Sequence, residues 1–494
     1  MAKVQEHLAA LQTTIELILK ISGSAGASVG VISNGESHDS HYGFMDHRLT
    51  RRPDVDTLYG IGSLSKSMLA QTFANLVAKK VVSWNEHYNC SILDLLSMRS
   101  GLPTFNNLWY QGNSSPLVSR SSLMSMVNGM QTRFPLRSDW RYTNWGYAVA
   151  ARACSNHWEW FAQLWLQNGE RTAMLLRGSW DYRSMLPITS QKIDSATIIG
   201  AAGGMCSSTR ELLLHYGGLV AALKQEIDGT KIDSPVFNGL ATLYQGHIAA
   251  GQKVETSTQY TLGWVKGCLP GRVGLLSENA GLLEEAPLLG KDTKPQVLFT
   301  HTGSLAGFTT TAILLPEMRS AIVVLVNTKA SCDSSDFIAS AVLEKLVGGT
   351  RDHDFVQMAR SAMEKSSYRY AEQNAYQITY KTTYPYLNPS HLYFTDRVTN
   401  NSSTTKIQHI FSQSHISPAS SMDGPNHGEA ATTDSVCDTR HYDTRHQPWI
   451  AILNKLKGDK AAPTESDDKM ETFTDVEAPK MFTYEERVYY NHSS

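Results

Sequence analysis

The spacing of apolar residues predicts a helix and then two strands at the start of the chain. Within residues 1–22 the apolar side chains recur at the spacing of an amphipathic helix, at Leu8, Leu11, Ile15, Leu17, Ile18 and Leu19. Two β-prone runs follow, and the dipeptide Asn34-Gly35 separates them. Asn-Gly between such runs is a strong signal for a tight turn, so we expect a β-hairpin there.

A long helical region is predicted next. Leu69, Phe73, Leu76 and Val77 recur at helical spacing just after a glycine-rich segment. Residues 104–200 are rich in Trp, Met and Leu and contain few β-prone runs. We therefore expect a helical subdomain over about residues 70–200.

Strand-like runs return after this region. They lie at residues 260–265, 296–304, 308–316 and 320–328, and an amphipathic helix that ends in glycines follows them. Strands at both ends of the chain, with helices between them, predict an α/β fold of the α+β kind. Its antiparallel sheet is flanked by helices and carries an inserted, all-helical subdomain.

The character of the chain changes after this predicted domain, which we place at residues 1–350. From about residue 365, Ser, Thr, Asn, Asp and His dominate and the apolar periodicity disappears. Such a chain buries too little apolar surface to order itself. Residues 351–494 are therefore expected to form a polar, largely disordered extension.

Charge and composition exclude several classes of partner. The formal net charge is −2, which gives no reason to expect nucleic acid or an anionic membrane. The apolar runs are too short to span a membrane, and the N-terminus lacks the features of a signal peptide. The six cysteines contain no CxxC pair, so a reduced, cytoplasmic chain without metal or cofactor is the simpler interpretation.

The first candidate for chemistry is the pair Ser63 and Lys66, where the glycine-rich segment leads into a helix. Residues three apart on a helix lie on one face, so the lysine amine can reach the serine oxygen. Burial lowers the pKa of a lysine, and its neutral form can accept the serine proton. The alternative is a capping serine beside a solvated lysine. A second copy, Ser466 with Lys469, lies in a charged stretch without that context.

The second candidate is Tyr142-Thr143-Asn144, which stands at the start of an apolar helix. A phenol whose pKa is lowered by a lysine can act as a general base or move a proton. The amide of Asn144 can donate to a substrate carbonyl. A core tyrosine beside a capping asparagine is the alternative interpretation.

The third candidate is the run His301, Thr302, Gly303 and Ser304 at the end of a β-prone segment. Glycine at a strand edge permits close approach of a substrate, and a backbone N–H there can face an oxyanion. His301 could bind a carboxylate or relay a proton. For this run taken singly, a strand histidine beside a turn is the more common explanation.

Together, Ser-x-x-Lys, Tyr-x-Asn and His-Thr-Gly resemble the active-site set of serine β-lactamases and penicillin-binding proteins. The chain most resembles the branch of class C β-lactamases, D-alanyl-D-alanine carboxypeptidases and related esterases, the S12 peptidase type. It looks closest to cytosolic fungal members, some of which act in secondary metabolism. The resemblance covers roughly residues 10–350 and implies a β-lactamase/transpeptidase-like fold.

The resemblance also implies a role for each candidate. Ser63 would be the acylated nucleophile, Lys66 its activator, and Tyr142 the group that deprotonates Ser63 and later the water or alcohol. Asn144 would hold the acyl side of the substrate, and the backbone N–H groups of Ser63 and Ser304 would form the oxyanion hole. His301 stands where many lactamases have lysine, and Thr302 and Gly303 would line the binding strand.

Two departures from the family pattern are visible. The connection over residues 81–95 is shorter than usual, and the polar extension replaces the small β-barrel with which many members end. These departures bear on whether the chain turns over substrate.

The leading hypothesis is a serine acyl hydrolase that acts on a small ester, amide or lactam through a Ser63 acyl-enzyme. An acyltransferase of secondary metabolism, with an alcohol in place of water, would use the same residues. A scaffold that has lost activity is the alternative from another class. Tryptophans at positions 109, 140, 145, 158 and 160 suggest a hydrophobic acyl group, although core packing is their more common use.

Overall fold

The structure, a computed structural model, describes residues 2–366 with internal gaps. The gaps are residues 46–50, 86–89, 107–108, 110–118, 154–178, 182–185, 189–196, 233, 235, 252–257, 306 and 350–352. The polar extension beyond residue 366, the Ser466 motif and a large part of the predicted helical subdomain therefore lie outside the described residues.

The described helices and strands are interleaved along the chain. The helices are α1 (Ala2–Ala10), α2 (Gln12–Ser22), α3 (Ser65–Ala78), α4 (Ile92–Leu96), α5 (Leu123–Asn128), α6 (Trp145–Ala153), α7 (Gly200–Gly203), α8 (Thr209–Ile227), α9 (Leu240–Tyr244), α10 (Ser334–Val347) and α11 (355–366). The strands are β1 (Gly26–Ser33), β2 (Glu36–Gly43), β3 (Leu58–Gly60), β4 (Ser179–Asp181), β5 (Leu186–Ile188), β6 (Cys206–Ser208), β7 (Ile248–Ala249), β8 (Gln259–Tyr260), β9 (Val265–Leu269), β10 (Gly271–Arg272), β11 (Leu288–Leu289), β12 (Gln296–Leu305), β13 (Phe308–Leu315), β14 (Ser320–Val326) and β15 (Thr328–Lys329).

An eight-stranded sheet in the order β2-β1-β14-β13-β12-β9-β8-β7 is the centre of the fold. Every pair of neighbouring strands in this sheet runs antiparallel. The N-terminal strand β1 pairs with β14, and Ala27 stands opposite Val326. The predicted antiparallel sheet, built from both ends of the chain, is thus confirmed, as is the hairpin at Asn34 and Gly35, both of which have positive φ.

Both faces of the sheet are buried at β14, which explains why this strand is apolar at almost every position. Ala321, Val323 and Leu325 face one core, to which α3 and α8 also contribute. The alternate residues Ile322, Val324 and Val326 face a second core, shared with α2 and α10. Successive side chains of a strand point to opposite faces, so a strand between two helical layers has no polar face.

Within the region predicted to be helical, the described part is mixed. It contains α5 and α6, as expected, but also the short strands β4 and β5. The strand β4 pairs with β15, so Thr328 lies opposite Trp180. These strands depend on a distant partner, which local periodicity does not reveal.

The packed chain continues past residue 350, where the domain was expected to end. Helix α11 buries Phe355, Ala359, Ala362 and Met363 in the same core as α2 and α10. Among the described helices, none is long and apolar enough to cross a membrane.

Candidate active site

Ser63 lies in a single 3-10 turn, Gly62–Leu64, between β3 and α3. Its side chain is partly exposed, whereas Ser65 is buried and donates a 2.6 Å hydrogen bond to the carbonyl oxygen of Gly62. The first helical residue is Ser65 and the N-cap position of α3 is Leu64, so Ser63 is not a capping residue. Of the two serines, Ser63 is therefore the one whose side chain is accessible to solvent.

Lys66 is fully buried one turn from Ser63. Its Nζ atom lies 2.9 Å from Oγ of Ser63 and donates a 2.6 Å hydrogen bond to the carbonyl oxygen of Ala202. Desolvation by burial holds the pKa of Lys66 well below its usual range. A lowered pKa favours the neutral form of the amine, whose lone pair can accept the proton of the Ser63 hydroxyl.

Tyr142 completes a group of three side chains around the Ser63 oxygen. Its hydroxyl hydrogen-bonds to Ser63, and the Lys66 nitrogen lies 5.1 Å from the centre of its ring. Burial raises the pKa of the phenol, and the hydrogen bond between Tyr142 and Ser63 only partly offsets this effect. The expected lowering of the Tyr142 pKa by the lysine is therefore wrong, because desolvation of the buried phenol has the larger effect.

Strand β12 lies directly against the turn that carries Ser63. A Cβ atom on Gly62, whose φ is +53°, would lie 2.6 Å from the backbone nitrogen of Ser304. A Cβ atom on Gly303 would lie 2.1 Å from the carbonyl oxygen of Ile61. The two glycines thus permit backbone-to-backbone contact between residues 61–63 and the end of β12.

His301 is 1% exposed, and both of its ring nitrogens have partners. Nδ1 is 2.7 Å from the carbonyl oxygen of Thr302, which can only accept, so Nδ1 carries the proton. Nε2 then accepts from the hydroxyl of Tyr260 at 3.3 Å. Burial lowers the pKa of His301 to about 3, so the ring is neutral and offers no charge to a carboxylate. Its ring centre lies 6.0 Å from that of Tyr142, which it packs beside.

The other two predicted residues of β12 differ in exposure. Thr302 is buried and donates a 3.0 Å hydrogen bond to the carbonyl oxygen of Leu276. Ser304 is exposed, and its Oγ lies 2.6 Å from Nζ of Lys329. Lys329 also forms an ion pair with Glu278. Sequence reasoning singled out neither Lys329 nor Glu278, because nothing in their local spacing links them to Ser304.

Asn144 is held in position by residues 103–106, which belong to none of the three sequence motifs. Its amide nitrogen donates a 2.9 Å hydrogen bond to Oδ1 of Asn106. The preceding residue, Thr143, donates to the carbonyl oxygen of Pro103 at 2.8 Å. Thr104 donates to the carbonyl oxygen of Tyr142 at 2.8 Å, so residues 103–106 run beside residues 142–145. The segment 103–106 therefore fixes the position of the Tyr-x-Asn motif.

A buried carboxylate, that of Asp94, forms an ion cluster with two arginines near the Tyr-x-Asn motif. Asp94, on α4, accepts from Arg99 at 2.6 Å and from Arg137 at 2.8 and 3.0 Å. Despite burial, hydrogen bonds from Arg137, Ser91 and Arg99 lower the pKa of Asp94 to about 2. The backbone nitrogen of Arg141 donates to the carbonyl oxygen of Met98, the residue before Arg99. The ion cluster therefore helps to fix the segment that leads into Tyr142.

The tryptophans of this region are used in different ways. Trp109 and Trp145 are buried and pack edge-to-face with ring centres 4.9 Å apart, so they belong to the core. Trp140 is partly exposed and lies 5.8 Å from the ring of Tyr260. Trp158 and Trp160 lie outside the described residues.

Solved structures that share this fold include a penicillin-binding protein homologue, a β-lactamase/D-alanine carboxypeptidase and a class C β-lactamase. A penicillin-binding protein homologue from Pyrococcus abyssi is 16% identical, with a TM-score of 0.53 over 69% of this chain and 78% of its own. A β-lactamase/D-alanine carboxypeptidase from Pseudomonas syringae is 16% identical, with a TM-score of 0.52 over 71% and 99%. A class C β-lactamase in complex with cefoxitin is 17% identical, with a TM-score of 0.53 over 69% and 98%.

The fold thus places the protein in the class with a β-lactamase/transpeptidase-like fold, and it confirms the predicted fold class. The profile of the Beta-lactamase family matches residues 11–345. The chain belongs to the Beta-lactamase family. At the level of the family, this membership supports a serine acyl hydrolase.

Proposed function

We propose that the protein is a serine acyl hydrolase that forms an acyl-enzyme on Ser63 and acts on a small ester, amide or lactam. The observation that carries the proposal is the 2.9 Å contact between Ser63 and the buried Lys66, whose pKa is lowered. A buried neutral amine beside a partly exposed hydroxyl is a nucleophile with its base already in place.

In the first half of the reaction, Lys66 is the base. Nζ of Lys66 takes the proton of Ser63 while Oγ of Ser63 bonds to the substrate carbonyl carbon. The carbonyl oxygen becomes an oxyanion, which the backbone N–H groups of Ser63 and Ser304 stabilise. Collapse of this intermediate breaks the bond to the leaving group, which takes the proton from Lys66 through the hydroxyl of Tyr142.

The second half repeats the same steps with water. Lys66 accepts a proton from the water as its oxygen bonds to the acyl carbon, and the oxyanion forms again. Collapse releases the carboxylic acid and returns the proton to Oγ of Ser63. Because the phenol pKa of Tyr142 is raised, Tyr142 acts as a protonated hydrogen-bond donor and proton carrier, and the base is Lys66.

Asn144 and β12 hold the substrate in this proposal. The amide of Asn144, oriented by Asn106, donates to the acyl side of the substrate. Thr302 and Gly303 form the strand along which the substrate lies, and neutral His301 keeps the Tyr142 ring in position. Charge on His301 plays no part, since its pKa is about 3.

The test is acylation of Ser63. The protein is mixed with p-nitrophenyl acetate, and separately with nitrocefin, and release of the chromophore is followed together with the intact mass. We expect a burst and a covalent adduct that Ser63→Ala abolishes. Ser466→Ala removes the serine of the other Ser-x-x-Lys sequence and is the matched control, with wild-type activity expected. An adduct that persists in Ser63→Ala would refute the assignment.

A further inference from the structure

The proposed reaction places a positive charge inside the core. When Nζ of Lys66 takes the proton of Ser63, a neutral amine becomes an ammonium at a residue with no exposed surface. Burial disfavours that charged form, and within the described part of the chain no carboxylate contributes to the lowered pKa of Lys66. The groups that stabilise the ammonium must therefore be neutral ones.

Two aromatic rings lie beside the nitrogen of Lys66. Nζ lies 5.1 Å from the centre of the Tyr142 ring and 5.4 Å from the centre of the Tyr147 ring. The face of a phenol ring attracts a cation within about 6 Å of its centre, and the attraction is stronger where water is absent. The carbonyl oxygen of Ala202 accepts a hydrogen bond from the same nitrogen. All three contacts favour an ammonium over a neutral amine.

Tyr147 makes its contact with Lys66 through a ring that is fixed in place. The side chain is fully buried, and its hydroxyl donates a 2.7 Å hydrogen bond to the carbonyl oxygen of Leu96, on α4. The preceding residue, Gly146, lets α6 approach α4, since a Cβ atom there would lie 2.6 Å from the carbonyl oxygen of Leu95. The proton of the Tyr147 hydroxyl is thus engaged by α4, which leaves the ring as the part of Tyr147 that acts on Lys66.

The titratable neighbours of Lys66 carry no charge at neutral pH. Burial raises the pKa of the phenols of Tyr142 and Tyr147. Burial also lowers the pKa of His301 to about 3. These groups neither pair with an ammonium at Lys66 nor repel it. The balance between the two forms of the amine is therefore set by burial, which opposes the charge, and by the ring faces and the carbonyl dipole, which favour it.

We propose that Tyr147 assists the reaction through the face of its ring, which stabilises the ammonium form of Lys66 after proton transfer from Ser63. The inference rests on the proposed function, because it concerns the step in which Lys66 is the base. In that step the Ser63 proton moves to Nζ, and the electron pair of the O–H bond forms the new bond to the substrate carbonyl carbon. Tyr147 touches no substrate and acts through Lys66.

The experiment compares two variants that both lack the Tyr147 hydroxyl. Tyr147→Phe keeps the ring, whereas Tyr147→Leu replaces it with an alkyl group, and the pH profile of kcat/KM for p-nitrophenyl acetate is measured for each. We expect the Phe variant to keep the wild-type midpoint. The midpoint of the Leu variant should lie about 1 unit lower, the equivalent of losing a desolvated contact of about 1.4 kcal/mol. Its plateau should fall about three- to tenfold, because Lys66 becomes a weaker base.

Tyr42→Leu is the matched control for the loss of a buried ring. Tyr42 belongs to the core on the other face of the sheet, so this change should lower stability without moving the midpoint. A second series keeps the shape of the ring and is independent of how well Tyr147→Leu folds. Phenylalanine analogues with increasing numbers of ring fluorines at position 147 lose electron density from the ring face, so the midpoint should fall with each fluorine.

The outcomes separate this role from the proposed function. Equal midpoints for fluorinated and unfluorinated rings, or for folded Phe and Leu variants, would overturn the role of Tyr147 and leave Ser63 and Lys66 as proposed. A shift of the same size in Tyr42→Leu would do likewise. Hydrolysis that is unaffected by Ser63→Ala would overturn both the role of Tyr147 and the proposed function.

Discussion

Nζ of Lys66 lies 2.9 Å from Oγ of Ser63, and the lysine that makes this contact has no exposed surface. Burial favours the neutral amine and the hydrogen bond keeps it beside the proposed nucleophile, so one packing arrangement would provide both the proposed base and its position. The proposed acylation chemistry of the site depends mainly on the contact between Ser63 and Lys66.

Replacing Lys66 with arginine should remove the base. A guanidinium remains charged under all practical conditions and cannot accept the proton of Ser63. We expect kcat/KM for p-nitrophenyl acetate to fall about 10²- to 10⁴-fold, the usual contribution of a general base. Lys231→Ala changes an exposed lysine and is the control, with unchanged rate expected. Circular dichroism checks that Lys66→Arg is folded, and a folded variant of near wild-type activity would contradict the proposed base.

The rate should depend on pH through Lys66. The active form has a neutral amine, so kcat/KM should rise with pH through the lowered pKa of Lys66 and reach a plateau below the ordinary lysine range. His301, with a pKa of about 3, and Tyr142, with a raised pKa, should add no step near neutral pH. The measurement is a pH profile of kcat/KM. A midpoint at the ordinary lysine value would contradict the role of burial.

Asp94→Ala should destabilise the protein. Removing the shared carboxylate leaves Arg99 and Arg137 without their buried partner, which costs about 3 kcal/mol or more. The measurement is the free energy of unfolding in urea. Asp56→Ala breaks an ion pair with Arg210 whose side chains are more than half exposed, and it should change this free energy by less than about 1 kcal/mol.

The same cluster predicts a loss of stability in acid. The folded-state pKa of Asp94, about 2, is lower than its ordinary value of 3.8, so the folded form favours the carboxylate. The contribution of Asp94 is complete above the ordinary value and is lost as pH falls through about 2. Wild type should therefore lose stability relative to Asp94→Asn as pH is lowered from 5 to about 2. Parallel curves for the two proteins would argue against this coupling.

Gly303→Ala should disturb the site more than an equivalent change elsewhere in the sheet. The new Cβ would lie 2.1 Å from the carbonyl oxygen of Ile61, so β12 or the Ser63 turn must shift. A displacement of about 1 Å at a reacting centre can lower the rate about 10²-fold. Gly267→Ala, on β9, meets only Leu298 at 3.8 Å and is the control. Steady-state kinetics on p-nitrophenyl acetate compares the two, and equal rates would show that the close approach is unimportant.

Ending the chain at residue 350 should be more harmful than ending it at residue 366. The shorter chain loses α11, including the buried Phe355 and Met363, each of which contributes about 1.5–3 kcal/mol. It also loses the bond from the backbone nitrogen of His353 to Glu344, 2.9 Å. Thermal unfolding of the two truncated proteins tests this boundary. Equal melting temperatures would mean that α11 adds nothing to the core.

The parts of the fold that the sequence predicts correctly are those set by local pattern. The Asn34-Gly35 turn and the apolar strand β14 follow from residue type and spacing alone, as does the placement of Lys66 one turn from Ser63. Strands β4 and β5 were missed because β4 pairs with a strand about 150 residues away, which periodicity does not encode.

The chemistry of the site could be predicted only in outline. Resemblance to a family grouped Tyr142 and His301 with Ser63, but their protonation depends on burial, which no motif specifies. The neutral ring of His301 and the raised pKa of Tyr142 are products of packing. Likewise, the contacts of Lys329 with Ser304 and of Asn106 with Asn144 join residues from separate parts of the chain.

The pairing of β1 with β14 also has a consequence for synthesis on the ribosome. Ala27 pairs with Val326, and the turn that carries Ser63 packs against Ser304. Neither the central sheet nor the proposed oxyanion hole can therefore assemble in a nascent chain that lacks its last strands. The hairpin β1–β2 leaves the exit tunnel with an apolar edge that has no partner until some 300 further residues have been translated.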